Sequence, residues 1–86
     1  MHTVELLDQA LDLAGRLGYE IRQEWLGGSG GGGCEVHGRK IIFLDLALAP
    51  AEQLGFVLDA LRREPDALAL PMPVPLRELL GMRKSA

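Results

Sequence analysis

The chain contains a single cysteine, Cys34, so no internal disulfide can form and nothing calls for an oxidising compartment. Aromatic residues are as scarce, at 5% of the chain, and the basic pairs Arg39-Lys40, Arg62-Arg63 and Arg83-Lys84 are not interleaved with them. That excludes the stacked, cationic surface of a single-strand nucleic-acid binder. A net charge of −3 points the same way, because affinity for phosphate backbones comes from clustered Lys and Arg. Long apolar runs are missing too. The strongest one near the middle, Ile41 to Leu44, is closed by Asp45 and is too short to span a bilayer. The opening residues, Met1-His2-Thr3-Val4-Glu5-Leu6-Leu7-Asp8, lack the basic start and apolar stretch of a signal peptide. A cytoplasmic protein with no nucleic-acid and no membrane partner is expected.

What the chain has is glycine and aliphatic residues. Its 86 residues, 48% of them hydrophobic, suffice for one small domain, residues 1–86, with one modest core. So small a core is expected to be completed by self-association or by another protein. The run Gly27-Gly28-Ser29-Gly30-Gly31-Gly32-Gly33 contains the letters Gly28-x-Gly30-x-x-Gly33. A dinucleotide fingerprint, however, opens a helix whose N-terminus receives the phosphate. Here Cys34-Glu35-Val36 follows, alternating like a strand, so the run reads as a flexible hairpin loop in which an Asn-Gly turn could replace Gly28 to Gly32. An anion or small-ligand cradle at this loop is the alternative.

Periodicity gives the elements. Val4, Leu7, Leu11, Ala14 and Leu17 recur at helical spacing after Thr3, a candidate N-cap, and Gly18 is the expected stop. Leu6, Ala10 and Leu13 widen this apolar face beyond what one small sheet covers, so it is expected also to meet something else. From Tyr19 the period is two: Tyr19, Ile21, Gln23 and Trp25 face one way, Glu20, Arg22 and Glu24 the other. Cys34 and Val36 mark a second strand, His37-Gly38-Arg39-Lys40 a turn, and Ile41-Ile42-Phe43-Leu44 a strand buried on both faces. Pro50 and Glu52 open a second helix with Leu54, Val57, Leu58 and Leu61 inward, weakened by Gly55 and ended by Pro65. Residues 65–86 read as a strap that buries Met72 and Val74, a short helix through Leu76, Leu79 and Leu80, and a frayed tail from Met82. The expected fold is α+β: helix, three-stranded mostly antiparallel meander with the apolar strand central, helix, C-terminal short helix. Pattern alone does not fix the strand order.

Little in the chain points to chemistry. Cys34 and His37 form a lone C-x-x-H. Zinc takes about four ligands, and with His2 the only other imidazole the rest would have to be distant carboxylates. Cys34 reads as a small strand hydrophobe, and residues three apart on a strand face opposite sides, which argues against a Cys-His nucleophile. Asp45 and Asp59 read as a strand end and a solvated helix face. No catalytic residue, metal or cofactor is expected. The residues expected to mediate interaction are Trp25 and Leu26 at the lip of the loop, with Gly28, Gly30 and Gly33.

The order of elements, with Ile41-Ile42-Phe43-Leu44-Asp45 followed by Pro50-Ala51-Glu52-Gln53 and Phe56-Val57-Leu58, resembles the N-terminal part of small bacterial zinc metallopeptidases of the zincin type, which cleave repressor-like proteins. In that family the second helix carries H-E-x-x-H, two zinc ligands and a general base. The corresponding positions here hold Ala60, Leu61 and Glu64, so neither ligand nor the base is kept. The chain is similar as well to short bacterial proteins with a glycine run, a cysteine and an apolar strand, for which no activity is implied. The reading that follows is a non-catalytic, homodimeric interaction domain. A degenerate or partner-completed peptidase is the alternative.

Overall fold

A computed structural model describes residues 2–81. Helix α1 spans Thr3–Arg16, so Thr3 is its first residue and not its cap; His2 takes that position without a side-chain hydrogen bond. The helix closes as expected at Gly18, where Gly18 N–H donates to Gly15 O and Tyr19 N–H to Ala14 O, the paired bonds of a Schellman ending. Strands β1 (Glu20–Glu24), β2 (Gly32–Val36) and β3 (Arg39–Asp45) follow, then α2 (Pro50–Arg62), a single 3-10 turn over Ala67–Ala69 and α3 (Val74–Gly81). Pro50 opens α2, and the Glu52 carboxylate accepts from Ala49 N–H at 3.2 Å.

The expected α+β class and element order are present, and the apolar strand β3 is central as expected; the expected meander connectivity is not present. The sheet runs β1-β3-β2, with β1 parallel to β3 and β2 antiparallel to it. It is a mixed sheet, not a meander, and β1 and β2 do not form a hairpin. The physical reason lies in β3, whose unbroken apolar run is buried best with a neighbour on each side. The glycine run therefore carries the chain from one edge of the sheet, past the end of β3, to the other edge. The one hairpin joins β2 to β3 through His37 (φ 53°) and Gly38 (φ 79°), a two-residue type I′ turn; Arg39 and Lys40, expected in the turn, already belong to β3.

α1 packs on β1 and α2 on β2 and β3, while α3 packs on α1 and α2. Ile42 and Leu44 are fully buried on the helical side of the sheet with Leu13, Val57, Leu61 and Leu76, and Ile21 packs beside them. Much of the wide apolar face of α1 is covered within the chain, because α2 and α3 join β1 against it and Leu6, Leu11 and Leu17 pack onto the same core, while Val4 is 55% exposed. After α2 the strap is held by arginines: Arg16 donates to Pro71 O at 2.8 Å, and Arg77 to Leu68 O and Leu70 O. Met72 packs on the core as expected, and Leu70 with it, whereas Val74 does not. It starts α3 and is 66% exposed. The expected tail from Met82, with Arg83-Lys84, lies outside the described residues.

Candidate functional site

The other face of the sheet carries no helix. Ile41 and Phe43 point to it and stand outside the core cluster. Toward β1 it is roofed by charge: Arg22 pairs with Glu24 at 3.1 Å and lies 5.9 Å from the centre of the Phe43 ring, and Arg39 reaches Glu20 at 3.2 Å. Toward β2 it is bare. Cys34, read as a small strand hydrophobe, lies in β2 as expected but is exposed there, and Val36 is 44% exposed. Leu26, Phe43, Cys34 and the backbone of Gly30 to Gly33 line an open groove of ≈ 440 Å³ along this side.

At the end of β3 the glycine run closes over Asp45, whose side chain is 1% exposed. Its carboxylate accepts from Ala47 N–H at 2.9 Å, Leu26 N–H at 3.0 Å and Gly30 N–H at 3.3 Å. Burial by itself pushes this carboxyl up, but the backbone donors of Ala47, Leu26, Gly30 and Gly28 outweigh it and hold it below its ordinary value. The loop is an anion cradle in the sense that the N–H groups of Leu26, Gly28 and Gly30 converge with that of Ala47 on one negative charge, and the charge is the chain's own. Those donors are not free for a bound ligand.

The glycines are required by this closure. Gly30 sits at φ 105° with the Phe56 ring 3.2 Å from where a Cβ would stand. A Cβ on Gly31 would overlap the Phe43 carbonyl, and one on Gly33 would come within 3.1 Å of Ala60. The expectation that an Asn-Gly turn can replace Gly28 to Gly32 is therefore overturned: that change deletes donors to a buried carboxylate and shortens a crossover, not a hairpin. Asp45 ends β3 as expected; what sequence reasoning missed is that its carboxylate gathers backbone donors. The available signal was a run of side-chain-free N–H groups placed to meet an acid that directly follows a buried strand.

Of the residues expected to mediate interaction, Trp25 is 75% exposed, Leu26 is half-buried and tied to Asp45, Gly28 is exposed, and Gly30 and Gly33 are packing positions against α2. His37 lies exposed in the β2–β3 turn. Asp59 is on the solvated face of α2, paired with Arg63 at 3.3 Å. A second polar group spans the core side of the sheet edge: Tyr19 Oη donates to Glu64 Oε2 at 2.8 Å, and Lys40 Nζ to Glu64 Oε1 at 3.3 Å. Burial first, then the hydrogen bond and the negative charge of Glu64, push the Tyr19 phenol up to about 12. The adjoining space is ≈ 170 Å³, below the roughly 300 Å³ of ordinary ligand pockets.

The positions of a zincin helix do not fit zinc here. Ala60 and Leu61 are buried apolar side chains, α2 has ended before Glu64, and Glu64 is engaged by Tyr19 and Lys40. Among the described residues no three His, Cys, Asp or Glu side chains gather as a metal site, and no helix is long and apolar enough to cross a membrane. No family model, curated protein or solved structure matches the chain.

Proposed function

We propose that this protein is a non-catalytic interaction domain of the cytoplasm that works as a homodimer. The observation that carries the reading is the one-sided sheet: helices cover one face, while the other is bare along β2 and groups exposed Cys34 and Val36 with the partly buried Phe43. A mixed surface of this kind, apolar at one side and charged at the other, suits protein contact. The non-catalytic part is supported by the state of the polar groups. Asp45 is saturated by backbone donors and the Tyr19–Glu64–Lys40 group is internally paired. Sedimentation equilibrium of the full chain across the micromolar range tests the reading. A reversible dimer is expected; a single species of monomer mass throughout overturns it.

A further inference from the structure

The two edges of the sheet differ in how they are guarded. β1 carries Glu20, Arg22 and Glu24, and pairing it with a second β1 about its middle would set Arg22 against Arg22 and Glu20 against Glu24. Charged edges of this kind resist strand addition. β2 reads Gly-Gly-Cys-Glu-Val and has no such guard. Which of its backbone groups point outward follows from the turn. In a two-residue turn Val36 C=O accepts from Arg39 N–H, so Val36 faces β3. Alternation along the register then makes Cys34 face Ile41 and leaves the N–H and C=O of Gly33 and Glu35 pointing away from the sheet.

We infer that two copies of this chain join through their β2 edges, antiparallel about Cys34, into one continuous six-stranded sheet. The inference rests on the homodimer reading and names its surface. The sequence is self-complementary in this register. Glu35 stands opposite Gly33 and Val36 opposite Gly32, so neither like charges nor two bulky side chains meet. The outward groups of Gly33 and Glu35 form hydrogen-bonded pairs, and Cys34 faces its own copy at a pair without hydrogen bonds. There the Cα atoms approach to about 4.5 Å, inside the 4.4–6.8 Å span of a disulfide. The flank of α2 adds to the match. It lies over this edge, with Ala60 against Gly33, and exposes Asp59 and Arg63 one turn apart. A two-fold axis runs the two α2 helices in opposite directions and turns the acid of one toward the base of the other.

Because Cys34 is the chain's one cysteine, oxidation of the native full chain with copper phenanthroline reports on this contact. At micromolar concentration the native protein is expected to give a disulfide dimer many times faster than the same chain in urea. In parallel, Cys34→Lys places two like charges on the axis and is expected to weaken dimerisation roughly tenfold or more, while Cys34→Ser stays dimeric. A parent that is dimeric by sedimentation but cross-links no faster than in urea overturns the β2 contact and leaves the homodimer reading standing. A monomeric parent overturns both. The cross-linking arm uses the unaltered chain, so it decides even if Cys34→Lys fails to fold.

Discussion

A carboxylate that accepts from several backbone N–H groups holds them more strongly when ionised than when protonated, and this makes Asp45 a pH-dependent clasp on the glycine loop. Its pKa lies below the ordinary carboxylate value of 3.8 in the folded chain. The stabilisation is therefore complete above that ordinary value and is lost as pH falls through the lower, folded one. Asp45→Asn keeps the shape but offers one acceptor oxygen, and its NH₂ group faces donors. The variant is expected to be less stable than the parent at neutral pH, with the gap narrowing as the solution is acidified toward and below about pH 4. Urea unfolding midpoints of the two proteins, compared at each pH, check this. Parallel pH profiles would show that the clasp contributes nothing.

Most of the helices and strands were legible because each has a clean period or an unbroken apolar run, whereas the connection between strands was not, because glycine has neither. α1 and α2 could be read from the helical spacing of Leu, Val and Ala, β1 from the alternation of Tyr19, Ile21, Gln23 and Trp25 with Glu20, Arg22 and Glu24, and β3 from the run Ile41 to Leu44. The unbroken apolar run of β3 marked it as the central strand, as it is, but did not show that β1 runs parallel to it, since that depends on where a side-chain-free loop runs. Glycines that look alike in sequence differ in role for the same reason. A Cβ on Gly55 of α2 would meet nothing within 4 Å, so Gly55→Ala should stabilise the protein by about 1 kcal/mol through helix propensity alone. A Cβ on Gly31 would overlap the Phe43 carbonyl, and Gly31→Ala should destabilise it by about 1–3 kcal/mol as the loop and β3 are forced apart. Chemical denaturation of both variants measures the contrast; equal effects would mean that the loop yields without cost.

On the scale of the whole molecule, the C-terminal segment is part of the core and not an appendage. Leu76 is fully buried and Leu80 is 4% exposed, in one cluster with Leu7, Leu13, Val57 and Leu61. α3 contacts both α1 and α2, so it closes the helical layer, and Arg62 ties it down by donating to Leu79 O at 3.0 Å. A domain of this length is stabilised by roughly 4–13 kcal/mol in total. Leu76→Ala removes a side chain with no exposed surface and is expected to cost about 2–5 kcal/mol, a large part of that sum. Removing everything after Asp66 takes away Leu76, Leu80 and Ala67 together and uncovers the core faces of α1 and α2, so the shortened chain is expected not to fold. Circular dichroism with urea titration reads both results. A truncated chain that keeps a cooperative transition near the parent's midpoint would show that α1, α2 and the sheet form a complete core without α3.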